Sequence, residues 1–343
     1  MSPARGGPAR RKPGGTPGAA ARDRVIGGAA PPRAGSAGPP LHRPDAPAPP
    51  LTTARATLFV VAAACCFGAI SVFTAVAAAG GSSLLNTMAW RYAIGALLLA
   101  AVTGPAALRI PGARAARLVV IGGVGQAMVS FLGLLPLTRY HLPAGTLAFL
   151  FYTYPAWVAL FAAARGTERI DRVRATALAL SLAGILALVG NPFASSLSPP
   201  GVAIALLAAV VYAVYVPVLG RLRGELPPAV ASAYVAAGAA VVYVASASAT
   251  GTLTVAVSPA AWGAILVLAV VAIGLAFILF LRGLAVLGPV RTAIVSTAEP
   301  FFTAALAAVV LAQPLTASTA AGGVLIAAAV VLLQRRPRPA HTP

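Results

Sequence analysis

The chain has 343 residues, of which 59% are hydrophobic and only 9% charged, and its mean hydropathy is +0.90. That mix excludes an ordinary soluble domain and points to a membrane protein. The net charge of +19 raises the question of nucleic acid, but the basic residues do not form one patch with interleaved aromatics, so that reading fails.

Residues 1–55 are rich in Pro, Gly, Ala and Arg and hold no apolar segment to bury, which predicts a disordered cytoplasmic tail. No apolar run follows closely on the charged start, so a cleavable signal peptide is not expected. A polybasic tail can hold anionic headgroups or be dispensable.

Ten apolar runs follow: Ala56 to Gly80, Leu84 to Val102, Leu118 to Leu137, Pro143 to Ala164, Ala175 to Gly190, Gly201 to Leu219, Ala229 to Ala249, Ala260 to Leu281, Leu287 to Ala312 and Leu315 to Leu333. A helix of about 20 apolar residues crosses roughly 30 Å of hydrocarbon. The runs are continuous and not alternating, which excludes a transmembrane barrel. A short basic tail, residues 335–343, closes the chain.

With the N-terminus inside, every Lys and Arg of the 25 falls on the cytoplasmic side except Arg91, within a span, and Arg139, on the outer side. The positive-inside rule therefore predicts both termini in the cytoplasm.

Cys65 and Cys66 are adjacent and cannot staple distant segments. The histidines, His42, His141 and His341, sit in tails or at a helix end and form no metal cluster. Five of the six acidic residues, Asp23, Asp45, Glu168, Asp171 and Glu225, lie in tails or loops, and no phosphate-cradling loop is present. Enzyme, pump, cofactor and metal chemistry are not expected.

An offset of 145 lays the fourth span on the ninth, setting Pro155 on Pro300, Leu142 on Leu287 and Glu168 on Gln313. Five spans per half is an odd number, so the second half enters the membrane inverted, as in secondary transporters.

The stretches "AWRYAIGALLLA" at 89–100, "YPAWVALFAAARGTERI" at 154–170 and "AEPFFTAALAAVVLAQPL" at 298–315, in this order and spacing, resemble the EamA family of the drug/metabolite transporter superfamily. The resemblance spans about residues 56–334. It implies ten helices in two inverted repeats, 56–190 and 199–334, and export or exchange of small metabolites such as amino acids or drugs through a central cavity. Gln313 departs from the acidic residue common in the family there, and the first-half counterpart of Glu299 is Tyr154.

Glu299 is an acid near the middle of its span, which costs about 2.5 to 3.5 kcal/mol on insertion scales. In a continuous helix Thr292, Ser296, Glu299 and Thr303 share one face, a polar stripe that must avoid lipid. Pro300 predicts a kink, with a carbonyl released one turn earlier beside the carboxylate; Pro155 is its counterpart. Two readings stand. Glu299 ties helices through a hydrogen bond, or it exchanges a proton for a cationic or amine-bearing substrate, since desolvation disfavours its charged form.

In the fourth span Phe151 and Tyr154 match Ser296 and Glu299, with Tyr152 and Trp157 nearby. They either pack in the bundle or give a cavity an aromatic wall suited to organic cations. Arg91 either snorkels outward or faces the cavity, pairing with Glu299 or holding a substrate carboxylate. Gln126 and Ser130, one turn apart, are further cavity candidates, and helix-to-helix hydrogen bonding explains them equally.

The sequence is thus read as an all-α integral membrane protein of ten transmembrane helices in two inverted five-helix repeats. The expected activity is secondary transport by alternating access, exporting amino acids, amines or drug-like compounds, with possible coupling to protons; an uptake permease and a channel or scramblase are the alternatives. Its expected partners are a small-molecule substrate and the lipid bilayer of the plasma (cytoplasmic) membrane, and a homodimer is compatible with the sequence.

Overall fold

The computed structural model describes residues 52–140, 142, 144–189, 197–312 and 314–334. The predicted tail up to Leu51, the basic tail from Arg335 on, His141 and Gln313 lie outside them. The described residues form helices. Eight are long and apolar enough to cross a membrane, and two shorter apolar helices, Glu299–Val310 and Ala317–Leu333, follow.

The spans are α1 (Thr53–Ala79), α2 (Leu84–Thr103), α5 (Arg172–Val189), α6 (Pro199–Arg223), α7 (Pro228–Ala249) and α10 (Ala317–Gln334), together with four irregular ones. In α3, Gly112–Arg117 runs through a π-helical stretch, Leu118–Val124, into Gly125–Arg139. In α8, Pro259–Val267 runs through a second π-helical stretch, Leu268–Leu275, and on to residue 287. The span α4 is in two pieces, α4a (Ala144–Phe151) and α4b (Tyr154–Ala164). So is α9, with α9a over residues 289–296 and α9b at Glu299–Val310.

Some boundaries differ from those expected. The first helix starts at Thr53, before Ala56, because Thr52 caps it by accepting from the Arg55 amide at 3.3 Å. The third starts at Gly112, ahead of Leu118. Gly288, at φ 75° and ψ 171°, divides α8 from α9a just before Pro289, a backbone state that suits glycine and stops the helix. Ser198 and Ser258 open α6 and α8 by accepting from the amides of Gly201 and Ala261.

The main pairings are α2 with α7 and α5 with α10, while α1 packs on α8 and α9, and α6 packs on α3 and α4. Exchanging α1–α5 for α6–α10 leaves this pattern unchanged. The π-helical stretches fall in the equivalent helices α3 and α8, and the two breaks in α4 and α9. Such correspondence marks two copies of one five-helix plan.

Loops tie the halves together at both ends. At the arginine-rich end, Arg114 donates to the Arg223 carbonyl at 3.1 Å and the Tyr234 phenol to the Leu108 carbonyl at 2.6 Å. At the other end, Asn86 accepts from the Thr254 amide at 2.9 Å, and the Trp90 indole donates to the Thr254 carbonyl at 3.0 Å.

In lipid, helices gain little by burying apolar surface against each other, so close packing of small residues carries the association. Between α5 and α10, a Cβ on Gly184 would meet the Gly322 carbonyl oxygen at 2.8 Å, and one on Gly322 the Gly184 carbonyl at 2.5 Å. Gly123 and Gly238 likewise bring α3 against α7. Gly184→Leu or Gly322→Leu should therefore force these helices apart and cost about 1–3 kcal/mol, read as a lower melting temperature of the purified protein in detergent.

Candidate functional site

Both interrupted helices restart at a proline. Pro155 and Pro300 take the second position of α4b and α9b, where a missing N–H breaks no helical bond. In the ninth span, where a kink is expected, the α-helix is interrupted at Thr297 and Ala298, which stay in the right-handed helical region just ahead of Glu299 and Pro300. Between α9a and α9b the amides of Thr297 and Ala298 bond to the carbonyls of Ile294 and Val295, both at 3.2 Å, three residues back, which tightens the last turn before the gap.

Glu299 becomes the first residue of α9b, with its carboxyl group at the positive end of a helix dipole. The side chains of Glu299 and Tyr152 come near each other across the two breaks, and both line the central cavity. Gly68 on α1 makes room for this turn, since a Cβ there would stand 2.9 Å from the Thr303 amide and 3.2 Å from the Glu299 carbonyl oxygen.

Glu299, Tyr152 and Phe151 border a cavity of about 250 Å³ together with Arg91, Gln126 and Ser130. Phe67 on α1, Tyr212 and Tyr215 on α6, and Phe277 and Phe280 on α8 complete an aromatic wall. Phe151 stacks on Tyr212 at 5.5 Å between ring centroids.

Arg91 is only 2% exposed, held in α2 against α7. Its Nε and Nη1 have no hydrogen-bond partner, and its guanidinium lies 4.9 Å from the Tyr92 ring centroid. It does not snorkel. No ion pair joins it to Glu299. Beside it the Gln126 amide donates to the Tyr92 phenol at 3.0 Å, and that phenol also shares a hydrogen bond with the Ser130 hydroxyl at 3.1 Å, so Gln126 and Ser130 both bind between helices and line the cavity.

The π-helical stretch of α3 adds to this wall. Tyr215 donates to the Gly122 carbonyl at 2.8 Å within that stretch, and Tyr243 to the Ala127 carbonyl at 2.8 Å just beyond it. Widened turns of this type recur at functional sites.

The remaining expected residues sit elsewhere. Thr292 and Ser296 are buried in the core and do not line the cavity, because the three-residue turns at Thr297 and Ala298 wind the chain more tightly than an α-helix and turn Glu299 off the face they share. Thr303 turns its hydroxyl back to the Glu299 carbonyl at 3.1 Å. Tyr154, the sequence counterpart of Glu299, is buried and donates to the Ala293 carbonyl at 3.2 Å. Trp157 packs on Phe161, 6.2 Å between centroids, outside the lining.

The sequence marks Tyr152 only as a neighbour of Phe151 and Tyr154, and it does not single out Tyr212, Tyr215, Phe67, Phe277 or Phe280. Helical spacing offered a signal for some: Tyr212, Tyr215 and Leu219 share one face of α6 and all three line the cavity.

Residues 199–335 match the family model described as "EamA-like transporter family". The matched segment is similar to a family of membrane transporters and covers less than half of the chain. A solved structure titled "Crystal structure of protein" is similar in fold, with a TM-score of 0.69 and 22% identity, covering 82% of this chain and 96% of the other. No curated protein matches the chain.

Gly68→Val should push α1 away from the first turn of α9b and loosen the contact between Tyr152 and Glu299. A stability loss of about 1–3 kcal/mol is expected, seen as a lower melting temperature than for Gly263→Val, where a Cβ meets no neighbour.

Proposed function

We propose that the protein is a secondary active transporter that exports small metabolites by alternating access, binding an amine-bearing substrate, and best one that also carries a carboxylate, in the aromatic-walled cavity. The observation that carries the proposal is that Arg91 and Glu299 border the same cavity without an ion pair between them. A buried charge left uncompensated is costly. A ligand offering both an ammonium and a carboxylate group offsets the cost at each end.

Several features support this assignment. At about 250 Å³ the cavity lies below the roughly 300–1,000 Å³ of sites for drug-sized ligands, which favours a compact metabolite. The aromatic wall offers apolar contact and attracts cations through ring faces. Discontinuous helices that meet where two repeats join are the usual binding place in carriers of this design. Glu299, beside the Tyr152 phenol at that place, serves as the proton-exchanging group, so that proton entry on one side drives substrate release on the other. The location proposed is the plasma membrane, with the arginine-rich loops in the cytoplasm.

The test uses the full chain reconstituted in vesicles, with amino acids and amines screened by counterflow, which a channel does not show. Glu299→Gln should lower exchange of the active substrate about tenfold or more, the equivalent of one lost charge-assisted hydrogen bond, and should flatten its dependence on pH. Unaltered rate and pH dependence in this variant would exclude the coupling role. Arg91→Lys keeps the charge but not the bidentate fork, so it should reduce transport of carboxylate-bearing substrates and spare simple amines.

A further inference from the structure

A second cavity, of about 350 Å³, lies at the arginine-rich end between the C-terminal turns of α4b, α6 and α8. It is separate from the central one. Along α8, Phe280 lines the central cavity and Leu284 the second, and along α6 the change comes between Leu219 and Gly220. Leu219, Phe280, Leu284 and Val158, all buried, form the layer in between.

Three arginines line this second cavity, Arg165 from the end of α4b and Arg221 and Arg223 from the end of α6. Glu168, the acidic residue in its lining, is paired with Arg174 at 3.3 Å and so is already neutralised. Arg223 is held in place by donating to the Leu226 carbonyl at 2.9 Å. Arg165 approaches the Phe161 ring at 5.9 Å, and among the described residues neither its guanidinium nor that of Arg221 has a hydrogen-bond partner. Most of their guanidinium donors are therefore uncommitted. Behind them the wall is apolar, built from Val158, Phe161 and Leu284.

Charge bias across a membrane places arginines at one end of a bundle, but it does not gather them around one concave, half-apolar space. Guanidinium forks match the oxygens of a phosphate, and basic recesses between membrane helices take phosphate headgroups. We propose that this cavity binds a phosphate group, either on the headgroup of an anionic lipid or on a soluble phosphate. Because Arg165 belongs to the first half and Arg221 and Arg223 to the second, the bound group bridges the halves and steadies the arrangement in which that end is drawn together.

The experiment compares melting temperatures of the full chain in nanodiscs of phosphatidylcholine alone, in nanodiscs containing phosphatidylglycerol, and in phosphatidylcholine nanodiscs titrated with inorganic phosphate against chloride at equal ionic strength. Each condition is run on wild type, on Arg165→Gln/Arg221→Gln, and on Arg169→Gln/Arg172→Gln. The last pair removes the same charge from exposed positions outside the cavity lining. Stabilisation of wild type by phosphatidylglycerol alone, lost in the cavity variant and kept in the control, establishes a lipid site. A saturable rise with inorganic phosphate showing the same loss establishes a soluble-phosphate site. Equal loss in both variants reduces the effect to diffuse surface charge and overturns the proposal, as does the absence of stabilisation by either probe.

Discussion

In hydrocarbon a backbone group without a partner costs several kcal/mol, and that constraint governs the interrupted helices on which the site is built. A break in α4 or α9 is tolerable only where protein or cavity surrounds it. The two breaks are accordingly placed against each other, with α1 and α6 packed on them. Prolines sit in the first turn of the second pieces, so no donor is wasted, and short-range turns absorb the preceding amides. Glycine at position 68 lets the neighbouring helix close over the restart of α9b. The carboxyl group of Glu299 and the phenol of Tyr152 then meet across the gap.

The two halves use matching devices for unequal ends. Both carry a π-helical stretch in the third helix and a break in the fourth, yet the break in α4 presents aromatic rings while that in α9 presents an acid. Repetition supplies a scaffold whose contacts survive exchange of the halves. Divergence of side chains at equivalent places makes the cavity asymmetric, and an asymmetric cavity can orient a substrate with two different ends.

Burial of Arg91 follows from the same scaffold. The tight pairing of α2 and α7 leaves the guanidinium no route to a headgroup region, and the tyrosines around it bond mainly to one another's neighbours and to backbone carbonyls. Two of its donor atoms stay unmatched by protein. A buried guanidinium short of partners at the border of a cavity is a cost to the fold that a ligand can offset.

The sequence by itself determined the spans, because the thickness of a bilayer imposes a length on apolar runs that needs no knowledge of neighbours. It also marked Pro155, Pro300 and Glu299 as exceptions, since a proline or an acid in such a run violates a local rule. What it could not decide was register past an interruption. The stripe of Thr292, Ser296, Glu299 and Thr303 assumed one unbroken α-helix, and two residues of tighter winding at Thr297 and Ala298, still in the right-handed helical region, separate Thr292 and Ser296 in the core from Glu299 in the cavity. Likewise the offset of 145 names Tyr154 as the counterpart of Glu299, while contact falls to Tyr152, because the side chain that crosses a gap is chosen by where the opposing backbone stands. Whether Arg91 reached water or a cavity depended on α7, more than a hundred residues away. Those outcomes belong to the tertiary structure, since each is set by packing between helices that no local pattern encodes.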